Sequence, residues 1–166
     1  NASVENATAG EGEVSENSAH SQAPGVNDKA DAERIFARFD AAIAYAQQHN
    51  ARSIVLLGSG TGAYWAARYL NERQPAQVQK LVMVAAQTPV QAEERLEVLA
   101  PLLKVPTADF FYTTQAQARS AAEQRLQASK RLKDMQHRQV GLTAMPGNSA
   151  AEQGQLFRRV RGCLSP

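Results

Sequence analysis

The chain has 166 residues, of which 43% are hydrophobic and 20% charged, with a formal net charge of +2. This composition predicts one ordinary globular domain. It excludes a membrane-spanning helix, since no apolar run approaches the roughly 18 residues that such a helix needs. Cys163 is the one cysteine, so an internal disulfide is excluded too.

The first part of the chain is poor in large apolar residues. Its branched apolar residues up to Asp28 are Val4, Val14 and Val26, set among many small and polar residues. Such a segment buries too little apolar surface to offset the entropy lost on ordering. We therefore predict a disordered tail or loop over residues 1–28 and an ordered domain over residues 29–166, which is a fragment or mature product of a longer protein.

Helical and strand patterns alternate in the rest of the chain. Apolar residues at three- and four-residue spacing predict a first helix that Asp28 or Asp31 caps and that runs to about Gln48. Continuous apolar runs predict strands that are covered on both faces. The later helices are predicted at Gly62–Glu72, Gln91–Leu103, Gln115–Leu132 and Ala150–Leu164, and the strands at Ser53–Leu57, Leu81–Ala86, Thr107–Tyr112 and Gln139–Met145.

This alternation predicts an α/β fold with a mostly parallel sheet and helices on both faces. Trp65 and Tyr69, four residues apart, are predicted to pack together between helix and sheet. His49 is interpreted as a cation at the end of the first helix. The basic residues from Lys130 to Arg161 are interpreted as a solvated helix face. Nucleic-acid binding is not expected, because no stacking aromatics or docking motif accompany these residues.

A glycine-rich turn, Gly58-Ser59-Gly60-Thr61-Gly62, joins the first strand to the next helix. A dinucleotide site there would need a carboxylate at the end of the next strand, and Ala85–Thr88 contains none. A phosphate loop would need a lysine after the last glycine, which is absent. A nucleophile elbow would place its reactive residue at Gly60, between Gly58 and Gly62, and glycine has no side chain to attack with.

The same turn offers a different kind of site through its backbone. The amides of Ser59, Gly60, Thr61 and Gly62 stand at a predicted helix N-terminus, where they could bind phosphate, sulfate or carboxylate. The alternative is that the glycines only permit close packing of strand and helix. No metal and no cofactor are expected.

The run Ser53–Leu70 resembles the strand, elbow and helix of the α/β-hydrolase superfamily, and Lys80–Val84 and Leu103–Thr107 resemble its later strands. More narrowly, Gly58–Arg68 and Gln153–Gly162 resemble an uncharacterised bacterial hydrolase-like family. The resemblance implies the C-terminal half of a hydrolase fold, a signal peptide in the precursor, and a periplasmic or envelope location. It also implies a partner, which is the missing N-terminal half or another protein chain.

The resemblance further implies where catalytic groups would stand, and each position lacks its group. The nucleophile position is Gly60, the acid would lie around Thr113–Ala116, and the histidine would lie in Pro146–Ser149. We therefore predict a non-catalytic hydrolase-like protein with a binding or assembly role. One alternative is a serine hydrolase or esterase with rearranged groups, such as Ser59 or Ser149 as nucleophile. Another is anion or nucleotide binding at the glycine turn.

Three further expectations concern the sheet itself. Asp109 lies inside the third strand and is predicted to anchor a neighbouring loop. His137 precedes the fourth strand and is predicted at the edge of the sheet opposite the elbow. A sheet that lacks its first strands is expected to expose an apolar edge at Ser53–Leu57, so we predict that the chain is stable only with its N-terminal half or in a paired assembly.

Overall fold

The computed structural model describes residues 28–132 and 136–165. The tail predicted over residues 1–28 lies outside these ranges except for Asp28, which begins the first helix instead of ending the tail. None of the helices in these ranges combines the length and the apolar content that a membrane crossing requires.

Helices and strands alternate through the described residues. A short 3₁₀ helix, Ala100–Leu102, directly follows the third helix. The helices are α1 (Asp28–Gln48), α2 (Thr61–Arg73), α3 (Leu96–Leu99), α4 (Ala116–Arg131) and α5 (Ser149–Leu164), and the strands are β1 (Ile54–Ser59), β2 (Val78–Val84), β3 (Thr107–Tyr112) and β4 (His137–Leu142).

The four strands form one parallel sheet in the order β1-β2-β3-β4. Leu81 and Met83 belong to a core with α1, α2 and α3 on one face. Val82 and Val84 alternate with them and belong to a second core, which α5 covers on the other face. The predicted α/β fold, with a parallel sheet and helices on both faces, is confirmed.

Strand β1 lies at an open edge of the described sheet. Leu57 is 54% exposed, and Ile54, Val55 and Leu56 are only partly buried. Ile54 and Leu56 pack against the first core and Val55 against the second, so the prediction that this strand is covered on both faces holds for these residues and is wrong at Leu57. The expectation of an exposed apolar edge is confirmed. An apolar run favours burial, but only a neighbouring layer of the fold can supply it.

Three local predictions were wrong. The helix predicted over Gln91–Leu103 shrinks to Leu96–Leu99 and the 3₁₀ turn. Residues 91–95 are not helical, and the α-helical hydrogen bonding ends before Pro101, which has no amide to donate. The strand predicted at Gln139–Met145 instead begins at His137 and ends at Leu142. It ends there because the amides of Thr143 and Met145 donate to the side chains of α5 and not to a neighbouring strand.

The predicted pairing of Trp65 with Tyr69 is the third. The Tyr69 ring contacts Phe36 and Phe39 of α1, with ring centroids 5.4 and 4.8 Å away. Its hydroxyl donates to Asp40 at 2.6 Å. Trp65 instead contacts Tyr64 and the Arg68 guanidinium. Helical spacing placed both aromatic residues on α2, but the packing of α1 decided their contacts.

Candidate functional site

The turn between β1 and α2 has the geometry of a sharp elbow. Gly60 has φ 58° and ψ −126°, a combination that side-chain-bearing residues rarely adopt. Its amide donates to the Val84 carbonyl at 3.0 Å, and its carbonyl accepts from the Gln87 amide at 3.0 Å. The tip of the turn is therefore tied to the end of β2.

The glycines of this turn are not equivalent. A Cβ atom added to Gly58 would lie 2.6 Å from the backbone of Ala63, so the close contact between β1 and α2 requires glycine there. A Cβ atom on Gly60 or Gly62 would meet nothing within 4 Å. The alternative that the glycines only permit close packing of strand and helix therefore holds for Gly58 and not for Gly62.

The anion-site hypothesis concerns the amides of this turn. The amide of Gly60 already donates to Val84, so it is not free for a ligand. Thr61 and Gly62 are the first residues of α2, and their amides have no intrahelical carbonyl to bond. An anion site at the turn remains a prediction, which these two amides would carry.

The positions implied for an acid and a histidine hold turn and cap residues. Thr113 follows β3 and donates from its amide and its hydroxyl to the Leu142 carbonyl, at 3.1 and 3.2 Å. Asn148 precedes α5 and caps it, since its side chain accepts from the Ala151 amide at 3.1 Å. Both segments therefore serve the fold, and neither supplies an acid or a histidine.

The described histidines lie away from the elbow. His49 follows α1, where its Nδ1 is 2.8 Å from the Tyr45 carbonyl and its ring stacks on the Tyr45 ring. His137 begins β4, so it lies at the amino ends of the strands, opposite the elbow, as predicted. Ser59 and Ser149 are both exposed, and neither forms a hydrogen bond with either of these histidines.

A cleft of about 300 Å³ lies at the carboxyl ends of β2 and β3. It is lined by Ala85–Thr88, Phe111, Tyr112 and the start of α4, together with Arg95, Glu97 and Arg125. Glu97 pairs with Arg95 at 3.2 Å and with Arg125 at 3.5 Å, so these charges are satisfied within the wall of the cleft. The cleft therefore suits an uncharged polar group.

A buried polar cluster behind β3 was not found from the sequence. Asp109 is fully buried and accepts two hydrogen bonds from Arg125 of α4, at 2.8 and 3.0 Å. The Nε2 of His137 and the side-chain amide of Gln139 lie 3.3 and 3.2 Å from the same carboxylate. The prediction that Asp109 anchors a loop is wrong, because its partners are a helix and a strand.

The electrostatics of this cluster favour an ionised Asp109. Burial acts to raise its pKa, but hydrogen bonds from His137 and Arg125 and the charge of Arg125 outweigh burial, so the pKa lies below its usual 3.8. Gln139 also donates to the Ala122 carbonyl, which ties β4 to α4. Two buried atoms nearby, the Ser129 hydroxyl and His137 Nδ1, have no partner among the described residues. The cluster is closed to solvent and holds α4 on the sheet.

Comparisons with known proteins agree with this architecture. A family model described as "Protein of unknown function (DUF3530)" matches residues 1–166. No curated protein matches the chain.

Three solved structures share the fold at low identity. One is described as a CIB-like hydrolase from Thermoplasma acidophilum (12% identity, TM-score 0.56, 81% of this chain and 59% of that chain). Another is described as a dienelactone hydrolase from Klebsiella pneumoniae (13%, 0.56, 76% and 60%). The third is an esterase domain from a Rhodothermus marinus protein (13%, 0.54, 74% and 65%). The chain thus has an α/β-hydrolase-like fold and spans less than two thirds of the length of these structures.

Proposed function

We propose that this chain, which belongs to the DUF3530 family of proteins of unknown function, is a non-catalytic α/β-hydrolase-like protein with a binding or assembly role. The observation that carries the proposal is the elbow, which keeps its sharp backbone turn and presents glycine at its tip. Acyl transfer at a nucleophile elbow needs a nucleophilic side chain beside a general base. The described histidines, His49 and His137, lie at the other end of the strands.

The cleft at the carboxyl ends of β2 and β3 supports a binding role. Ligands of open α/β sheets bind outside the carboxyl ends of the strands, whatever chemistry the protein performs. Glu97 pairs with Arg95 and with Arg125, and Arg125 also pairs with the buried Asp109, so these two arginines and two carboxylates balance in charge. Gln87, Thr88 and Gln115 line the cleft as well. A ligand held there would be polar and uncharged.

The open edge at β1 supports an assembly role. Leu57 is exposed there, and the edge backbone is available to pair with another strand. The match covers only 59–65% of the three solved structures, so part of their length has no counterpart in this chain. We propose that a preceding segment of the protein, or another chain, completes the sheet. A monomer in sedimentation that melts in one sharp transition would contradict this.

A location in the bacterial envelope is the part of the proposal that rests on family resemblance alone. It predicts that the full-length protein is recovered in the periplasmic or envelope fraction of its host. Recovery in the cytoplasmic fraction would contradict it.

The catalytic question is tested by labelling with a serine-directed fluorophosphonate and by hydrolysis of a small nitrophenyl ester. We expect no labelling and no hydrolysis above the buffer rate. Stoichiometric labelling that disappears in Ser59→Ala or Ser149→Ala would overturn the proposal and identify the rearranged nucleophile.

The Gly60→Ser variant sharpens this test, because it places a hydroxyl at the tip of the elbow. The added side chain has open space around it, so the cost is the strained backbone conformation with positive φ, about 1–3 kcal/mol. We expect the variant to fold and to stay inactive, since neither described histidine, His49 or His137, stands beside the new hydroxyl. Ester hydrolysis by this variant would show that the rest of a catalytic site is in place.

A further inference from the structure

A second cleft lies on the other face of the sheet, between α5 and strands β3 and β4. It consists of two adjoining cavities of about 260 and 250 Å³, both lined by Ala108, Arg138, Gly162 and Cys163. We call it the α5 cleft, and its cationic residues are Lys80, Arg138, Arg158 and Arg159.

The four cations come from three separate elements, and Arg138 lines both cavities, whereas Lys80 lines one of them and the two α5 arginines line the other. Lys80 lies on β2, Arg138 on β4, and Arg158 and Arg159 on α5. No carboxylate lines the cleft among the described residues. The Lys80 ammonium donates to the Cys163 carbonyl at 2.6 Å, and the three arginines form no ion pair with a described carboxylate.

On the opposite face of the sheet, the buried and half-buried arginines form ion pairs with carboxylates. Arg68 pairs with Asp28 and Glu72, and Arg125 pairs with Asp109 and Glu97. Like charges held in one cleft repel each other, and an anion bound among them removes that repulsion. The guanidinium fork also matches the oxygens of a phosphate group in a bidentate arrangement.

We propose that the α5 cleft binds a phosphate group. Cavities of about 260 and 250 Å³ accommodate one such group, so the rest of a larger molecule would remain outside the cleft. The group belongs either to a small soluble phosphate ester or to the headgroup of an anionic phospholipid.

The helix dipole offers a simpler account of some of these residues. Cations are favourable near the C-terminus of a helix, and this explains Arg161 in the last turn of α5. It also explains Lys80, whose ammonium donates to the Cys163 carbonyl in the last turn of the helix. It does not explain Arg138, which lies on β4 and lines both cavities. Arg161 does not line the cleft, so it serves as a matched control.

The experiment measures binding to the chain, or to the full protein where a preceding segment is needed for solubility. One arm titrates inorganic phosphate and glycerol 3-phosphate in a calorimeter at low salt. The other arm floats the protein with vesicles of phosphatidylcholine containing 30% phosphatidylglycerol, and with vesicles of phosphatidylcholine alone.

The variants separate the cleft from general surface charge. We expect Arg138→Gln to weaken binding about tenfold and Arg161→Gln to leave it within about twofold, since a charged hydrogen bond is lost only in the first. Gly162→Glu and Gly162→Gln form a second pair. A Cβ atom at Gly162 meets nothing within 4 Å, so both variants fold, and they differ only in charge. We expect the Glu variant to bind at least tenfold more weakly than the Gln variant.

The outcomes decide the proposal. Binding of glycerol 3-phosphate with this pattern identifies a soluble phosphate ester as the source, and binding only to phosphatidylglycerol vesicles with the same pattern identifies a lipid headgroup. Absence of binding in both arms overturns the proposal. Equal losses in Arg138→Gln and Arg161→Gln overturn it too, because they would show attraction to net charge alone.

Discussion

At the carboxyl edge of the sheet, Gly60 holds a strained turn without a reactive side chain, whereas Asp109 in the middle of β3 holds a carboxylate against Arg125 and His137 and is closed to solvent. The two regions separate features that a catalytic site combines. The elbow is exposed and has a sharp backbone turn, but no described acid or base stands beside it. The buried cluster holds charged groups, but it is closed to solvent. The ionisable side chains that most resemble a catalytic group therefore serve to hold α4 on the sheet.

Removal of Arg125 tests whether the cluster is structural. In Arg125→Met, Asp109 stays buried without its guanidinium partner, so we expect the free energy of unfolding to fall by about 3–5 kcal/mol. Urea unfolding followed by circular dichroism measures this loss. Arg119→Met is the matched control on the same helix, because Arg119 is exposed, and we expect a change within about 0.5 kcal/mol. Similar losses in both variants would contradict the structural role.

A pair of alanine substitutions tests the elbow. In Gly58→Ala the new methyl group meets the Ala63 backbone, so we expect a loss of about 1–3 kcal/mol. In Gly62→Ala the methyl group meets nothing and the helix gains a better former, so we expect no loss, or a gain of up to about 1 kcal/mol. Thermal unfolding compares the two. Equal destabilisation would show that both glycines serve close packing.

The low pKa of Asp109 links the cluster to pH. Its folded pKa lies below its usual 3.8, so its contribution to stability is fully present above that value and is lost as the pH falls through the folded pKa. We expect the free energy of unfolding to decrease as the pH is lowered below about 4. Asp109→Asn should flatten this dependence, which urea unfolding at several pH values measures. An unchanged slope in the variant would contradict the assignment to Asp109.

The smallest effect is expected at Ser129 of α4, next to the cluster. Its hydroxyl is buried without a partner, so Ser129→Ala removes an unsatisfied group and should be neutral or stabilising by up to about 1 kcal/mol. Ser120→Ala, at an exposed position of the same helix, controls for helix propensity. A loss in Ser129→Ala that exceeds the control by 1 kcal/mol would show that the hydroxyl has a partner.

The elements were more predictable than their contacts. The bounds of β3 agree with the sequence prediction, because an apolar run between Val105-Pro106 and polar residues limits a strand on both sides. The helix predicted over Gln91–Leu103 failed at both ends, since its large apolar residues begin only at Leu96 and Pro101 interrupts the α-helical hydrogen bonds beyond Leu99. The absence of a side chain at the tip of the elbow could also be predicted, since it depends only on which residue occupies one position of a local motif.

The buried cluster could not be predicted in the same way. Asp109, Arg125 and His137 are far apart in sequence, and no local pattern links them. They meet because the register of β3 with β4 and the packing of α4 against the sheet bring them to one face. The same holds for the α5 cleft, whose cations come from β2, β4 and α5.

The sequence by itself determined the alternation of helices and strands, the parallel sheet and the glycine at the elbow tip. These follow from local periodicity, backbone preference and residue identity. Only the tertiary structure decided that Gly58, and not Gly62, is required for close packing at the elbow, and that Asp109 is ionised and enclosed. Each of these depends on which atoms of distant segments lie within a few ångströms, and that distance is set by the packing of whole layers.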